Sequence, residues 1–167
     1  MKDIIFIWGS PGTGKTTICR LLKEKLNSPY IDYDWIRDFH LDSKWKNKSE
    51  KEGRMSFENY KFIIKNYLKN KYKNIILTSL SGKHIHNIIK TFQKKDCIIF
   101  SLIVEDDKEL KKRVLTESRD SGYRNYKEAI KWNKLGKERK LWPNEIRIDN
   151  THNSPNKTVK EILKHLE

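Results

Sequence analysis

Eight residues near the start of the chain, Gly9-Ser10-Pro11-Gly12-Thr13-Gly14-Lys15-Thr16, have the types and spacing of a phosphate-binding loop. The pattern G-x-x-x-x-G-K-[ST] carries that meaning where a strand precedes it and a helix follows. Here Ile4 to Trp8 is a continuous apolar run suited to a strand buried on both faces. Downstream, Ile18, Leu21, Leu22 and Leu26 share one face of a helix. Gly9, Gly12 and Gly14 permit backbone conformations that a Cβ would penalise, so successive amides converge on phosphate oxygens. A helix opening at Lys15 adds its positive end to the same anion. Lys15 is then expected to reach the β- and γ-phosphates of ATP, and the Thr16 hydroxyl to ligate Mg²⁺. The nucleotide-binding stretch runs on to Thr17.

A second group of reactive side chains follows in Ile31-Asp32-Tyr33-Asp34-Trp35-Ile36-Arg37. Tyr30-Ile31-Asp32 reads as a short second strand, and in an open α/β sheet ligands sit beyond the carboxyl ends of the strands. Asp32 and Asp34 therefore face the same crevice as the glycine-rich loop. A carboxylate there can take the proton of an acceptor hydroxyl as it attacks a phosphoryl group. Arg37 lies one helical turn beyond Asp34, and its planar fork suits a substrate phosphate or sulfate. The same residues also fit a plainer reading, in which Asp34 caps a helix and Arg37 pairs with it on the surface.

These groups need a scaffold, and the rest of the chain supplies an alternation of apolar runs and amphipathic stretches. A helix is predicted from Trp35 to Leu41, then a polar mobile loop from Lys44 to Arg54 containing Gly53. Ser56 is predicted to cap a helix through Lys69 with Phe57, Tyr60, Ile63, Ile64, Tyr67 and Leu68 on its inner face. Strands are expected at Asn74–Thr78, Cys97–Ile103 and Glu145–Asp149. Helices are expected from Gly82 to Phe92, from Asp106-Asp107 to about Leu115, up to Asn133, and from Ser154-Pro155 to Leu166. His84 and His86 are expected at the surface, and no histidine shows the spacing of a structural zinc site. The expected fold is a three-layer α/β/α domain over residues 1–167, with a parallel five-stranded sheet.

The chain has 167 residues, 36% hydrophobic and 35% charged, with a net charge of +14. No apolar run approaches the ~20 residues of a membrane-spanning helix, so no membrane partner is expected. Cys19 and Cys97 are isolated and read as buried thiols, and Lys2-Asp3 leads straight into the first strand. A cytoplasmic location is expected. The positive charge admits nucleic acid as a partner, but it equally fits lysines spread over solvated helix faces in a chain rich in Lys, Asn and Ile.

The glycine-rich loop followed by Asp-x-Asp-x-x-Arg resembles the small P-loop kinases of the nucleoside-monophosphate-kinase-like superfamily. Within it the chain looks similar to adenylylsulfate kinases, through Asp32, Asp34 and Arg37, and to phage-type polynucleotide 5′-kinases, through Asp34 and Arg37. The resemblance implies that Asp34 is the general base and that Arg37 contacts the acceptor. It also implies an Arg-bearing lid, here about 113–128, with Arg119 first and Arg124 second as cations over the transferring phosphoryl group, and Lys112 and Arg113 beside them. Backbone near Pro143-Asn144 and Asn150-Thr151 would read the adenine. The segment at about 35–70 would form the acceptor side, where Trp35, Phe39, His40, Trp45 and Arg54 offer rings to stack on a base and cations for its phosphate. Departures are visible. The third strand ends Thr78-Ser79-Leu80-Ser81 without the Pro-x-Arg of one family or the aspartate of the other, leaving Mg²⁺ to Thr16 and, through water, Asp32.

The expected activity is transfer of the γ-phosphoryl group of ATP to a hydroxyl or phosphate of a small, nucleotide-like acceptor. Two alternatives stay open: a kinase acting on nucleic acid ends or bases, and a nucleotide-binding regulatory module without transfer activity. Oligomeric state is not legible in the chain.

Overall fold

A computed structural model of the chain describes residues 1–93, 95–117 and 121–166. Five strands, β1 (Ile4–Trp8), β2 (Tyr30–Asp32), β3 (Ile75–Thr78), β4 (Cys97–Ile103) and β5 (Glu145–Asp149), pair entirely in parallel in the order β2-β3-β1-β4-β5. Strict alternation along each strand divides the core. Ile4, Phe6, Ile75, Leu77, Cys97 and Ile99 point to one face, and Ile5, Ile7, Ile76, Ile98, Phe100 and Leu102 to the other. The second face is covered by α1 (Lys15–Leu26) and α7 (Pro155–Lys164) through Ile18, Cys19, Leu22, Val159 and Ile162. The first is covered by α2 (Tyr33–Asp38), α3 (Glu50–Lys69) and α4 (Gly82–Thr91) through Ile36, Phe57, Tyr60, Ile64, Ile85 and Ile88. Helices α5 (Asp107–Leu115) and α6 (Tyr126–Glu138) form a smaller cluster around Val104, Leu110, Val114 and Ala129.

The strands, their parallel pairing and the three layers match the expected fold, whereas several helix boundaries do not. Helix α2 begins at Tyr33, not Trp35, because the Asp32 carboxylate accepts from the Asp34 amide at 3.1 Å and acts as the cap. The stretch 50–54, read as part of a loop, is the first turn of α3. Its cap is Ser49, which accepts from the Glu52 amide at 3.1 Å. Ser56, read as that cap, is instead buried inside α3 and bonded to Glu52. Gly53 does not break the helix; its carbonyl accepts from the Tyr33 hydroxyl. Helix α6 runs past Asn133 to Glu138, and Gly136 is there because a Cβ would stand 2.9 Å from the Trp8 ring. His84 is not at the surface: its ring stacks on Phe57 at 4.4 Å and meets the edge of Tyr33.

Candidate active site

The strand order reverses between β1 and β3, which opens a crevice at their carboxyl ends. A cleft of about 1130 Å³ lies there, lined by the glycine-rich loop, the start of α1, Asp32, Asp34, Ser43 to Trp45, Ser79, Arg113, Thr116, Ser121, Tyr123 and residues of the β5–α7 loop. Six of the seven helices among the described residues have a side-chain cap: Asp32, Ser49, Ser81, Asp106, Asn125 and Ser154. Helix α1 has none. Gly14 stands at its N-cap, with no acidic residue in its first turn. Its positive end is thus left to an anion from the cleft.

The glycine-rich loop is folded for that purpose. Gly12 and Gly14 have φ of 88° and 96°, in the region that a side chain disfavours. A Cβ at Gly12 would run into Val114 and Leu110 of α5, and one at Gly14 into the Asn150 amide. The Thr13 hydroxyl closes the turn by donating to the Ser10 carbonyl at 2.9 Å, and the Lys15 ammonium donates to the same oxygen at 2.9 Å. Lys15 and Thr16 line the cleft side by side. This cradle, with its lysine, hydroxyl and uncapped helix, fits a triphosphate with Mg²⁺.

The β5–α7 loop braces the cradle from the far side. Asn150 is buried; its amide donates to the Thr13 carbonyl at 2.8 Å and its carbonyl accepts from the Thr158 hydroxyl. Arg113 of α5 spans to the same loop, donating to the backbone carbonyls of Asn150 (2.8 Å) and Thr151 (2.5 Å). Neither link was visible in the sequence, since the partners lie 137 and up to 38 residues apart. Of the two backbone segments expected near the adenine, the Asn150 end lines the cleft. Pro143-Asn144 precedes β5 at the opposite end of the sheet, where Glu145 pairs with Ile99. We expect Asn150→Ala to leave the Thr13 carbonyl and Thr158 hydroxyl without partners. A cost of about 1–3 kcal/mol follows, read as a melting temperature lowered by several degrees together with weaker ATP binding by calorimetry.

Asp32 and Asp34 both reach the cleft. Asp32 is occupied structurally, accepting from the Asp34 amide and, at 3.3 Å, from the Tyr30 hydroxyl. Capping by Asp32 releases the Asp34 carboxyl. Burial, then the neighbouring Asp32 charge, pushes that carboxyl up to about 6, against the pull of Arg37 and Lys15. A carboxyl raised by burial and a neighbouring charge in a cleft is a candidate functional group.

Arg37 stands apart from the expectation. It does not line the cleft. Its Nε and Nη2 donate to the two Glu52 oxygens at 3.1 and 2.8 Å, a bidentate pair that holds the Glu52 carboxyl at about 2. His40 and Ser56 bond to the same carboxylate at 3.1 and 2.7 Å. Of the aromatic and basic residues expected on the acceptor side, Trp45 lines the cleft. Trp35 packs edge-on against Tyr30, while Phe39 and Arg54 are exposed. Of the arginines expected in a lid, Arg124 donates to the Ser121 and Tyr123 carbonyls of its own segment, and Arg119 lies outside the described residues.

A family model described as an AAA domain matches residues 5–133, from the first strand through most of α6. The chain belongs to the AAA domain family. A shikimate kinase of Enterococcus faecalis is 28% identical along 100% of this chain and 99% of its own length. A candidate adenylate kinase of Pyrococcus abyssi is 34% identical over 74 residues, a match that spans 44% of this chain and 38% of that protein. Among solved structures, a sugar kinase from Janibacter superposes with a TM-score of 0.73 over 99% of this chain and 95% of its own, at 13% identity. That likeness shows the fold. Together these place the protein among the P-loop kinases of the nucleoside-monophosphate-kinase-like superfamily. No helix among the described residues of this kinase is long and apolar enough to cross a membrane.

Proposed function

We propose that this kinase moves the γ-phosphoryl group of ATP, with Mg²⁺, onto a hydroxyl of a small acceptor. The observation that carries the reading is Asp34, whose carboxyl is raised to about 6 in the same cleft as Lys15 and the glycine-rich loop. Such a group is ionised at neutral pH yet basic enough to take a proton. In the proposed step the acceptor oxygen bonds to the γ-phosphorus while its proton passes to Asp34. The bond from that phosphorus to the β,γ-bridging oxygen breaks, and ADP leaves with the electron pair. Lys15, the loop amides and the first turn of α1 hold the triphosphate charge. Thr16 is the side chain for Mg²⁺, which when bound neutralises charge on the phosphates. In this reading the acceptor side is the segment at about 35–70. By the resemblance, the lid at about 113–128 would supply Arg119 and Arg124 to the transferring group.

The decisive test is transfer from γ-labelled ATP to two pools of acceptors. One holds nucleosides, nucleotides, adenylylsulfate, sugars and small alcohols; the other holds 5′-hydroxyl and modified-base oligonucleotides. Label in the first pool is the expected result. Label confined to the second would replace this proposal with a nucleic-acid kinase, and ATP binding without label in either would leave a regulatory module.

A further inference from the structure

Arg37, expected to meet the acceptor as a free guanidinium, is engaged elsewhere, whereas Trp45, also expected on the acceptor side, is among the lining residues. Trp45 lines the cleft and Arg37 does not, although the two are stacked with the guanidinium carbon 4.4 Å from the ring centre. The charge of Arg37 is matched by Glu52, whose side chain is 6% exposed and which accepts both prongs of the fork. A phosphate or carboxylate on the acceptor would have to break this bidentate pair to be held by Arg37, leaving the buried Glu52 with only its bonds to His40 and Ser56.

The backbone of Trp45 has φ of 54°, a left-handed conformation that a bulky side chain rarely adopts. A dedicated loop enforces it. The Asp42 carboxylate accepts from the amides of Lys44, Lys46 and Asn47 at 2.8, 3.2 and 3.1 Å, and the Trp45 amide donates to the Asp42 carbonyl at 2.8 Å. The indole Nε1 donates to Asp38 at 3.1 Å, so the ring is fixed in plane as well as in position. Strain held this way at a ligand cleft points to a function for the ring. The same cleft is lined by the carboxylates and hydroxyls of Asp32, Asp34, Ser43 and Ser79. The other charge on that side is Lys44, an exposed ammonium. The remaining cations of the lining, Lys15, Arg20 and Arg113, come from the nucleotide side.

Resting on the phosphotransferase reading above, we propose that the acceptor is a neutral, polyhydroxylated ring that lies on the Trp45 indole and donates its hydroxyls to the carboxylates of Asp32 and Asp34. The apolar face of such a ring is desolvated against the indole. Its hydroxyls supply the donors that two carboxylates require, and an anionic acceptor meets like charge there. A free sugar and the ribose of a nucleoside share this chemistry.

The test uses matched pairs differing in charge: glucose against gluconate, ribose against ribose 5-phosphate, adenosine against AMP, and guanosine against GMP, each with γ-labelled ATP and the full-length kinase. The neutral member of a pair is expected to exceed its anionic partner in kcat/KM by about tenfold or more, a difference of ~1.4 kcal/mol. Label on glucose or ribose identifies a sugar acceptor, and label on adenosine or guanosine a nucleoside. Trp45→Ala is expected to raise the KM of the neutral acceptor by about tenfold, in the range of lost stacking on an aromatic ring, with kcat and the KM for ATP little changed. Trp45→Phe should recover most of the loss. Glu52→Gln weakens the grip on Arg37 and should narrow the preference for the neutral member. Preference for the anionic members, or a KM unmoved by Trp45→Ala, overturns this proposal alone. No label in any pair, where the wider acceptor pools are labelled, also overturns this proposal alone; no label in pairs or pools, with ATP bound, overturns the phosphotransferase reading with it.

Discussion

Asp34→Asn is expected to lower kcat by about 10²-fold or more while ATP binding stays close to that of the unaltered protein. The change keeps the shape of the side chain and removes its capacity to take a proton. Helix α2 is not disturbed, because its cap is Asp32 and not Asp34. The pH profile separates a base from a structural role. The Asp34 carboxyl stands at about 6, raised by burial and then by Asp32, so kcat/KM of the unaltered kinase should rise as pH passes through about 6 and then level. The variant should be flat across that window. Stability should move the other way. A folded-state pKa raised above the unfolded value gives a contribution that is full below the unfolded pKa and is lost as pH rises through 6. At neutral pH the ionised Asp34 is therefore a burden on the fold, and Asp34→Asn should melt at the same temperature or a few degrees higher. Reduced turnover in a protein of equal or greater stability is the mark of a residue kept for chemistry. Turnover unchanged in the variant would strip Asp34 of the role of base.

What the sequence revealed follows the range of the interactions involved. The glycine-rich loop, the apolar runs of β1, β3 and β4 and the Pro155 start of α7 are local patterns, and each stands where periodicity and turn chemistry put it. Boundaries set by competition between neighbouring polar residues were harder to read. Asp32 and Asp34 are both good caps, and the choice between them depends on where β2 ends. Ser49-x-x-Glu52 is a local capping signature, but Gly53 beside it reads as a breaker until the open space around it is known. The partner of Arg37 could not be read at all. Glu52 lies 15 residues away on another helix, and only the packing of α2 on α3 brings the two together. The bracing of the glycine-rich loop by Asn150, and of its loop by Arg113, depends on sheet order in the same way.

Arg139→Ala should cost about 3–5 kcal/mol, the range for removing one partner of a buried ion pair. Arg139 ends α6, and Glu145 opens β5 with a side chain that has no solvent exposure. The guanidinium donates both Nη atoms to the carboxylate, one of them at 2.7 Å, and lies 3.5 Å from the centre of the Trp142 ring and 4.7 Å from that of Trp8. The carboxylate also accepts from the Ser101 hydroxyl and, at 2.7 Å, from the Trp142 amide. Without Arg139 these neutral donors remain around a buried charge that they cannot balance. For a chain of this length the cost corresponds to a melting temperature lower by roughly 10 °C. Its pH dependence is specific. Burial works to raise the Glu145 carboxyl, but the Arg139 bonds and their partners outweigh it and hold the group below its usual value. A depressed folded pKa gives stability that is present above the unfolded pKa of ~4.3 and is lost as pH falls through the folded value. In Arg139→Ala the uncompensated carboxyl takes up a proton more readily, so its deficit should be greatest near neutral pH and narrow as the solution is acidified. Thermal melts of both proteins from pH 4 to 8 measure this. A small deficit that does not vary with pH would mean that water screens the pair despite its burial. Arg139→Met with Glu145→Leu should recover much of the loss, because the aromatic walls of Trp8 and Trp142 can pack an apolar chain as well as a guanidinium. The ion pair then acts mainly to fix the end of α6 against Trp8, the residue immediately before the glycine-rich loop.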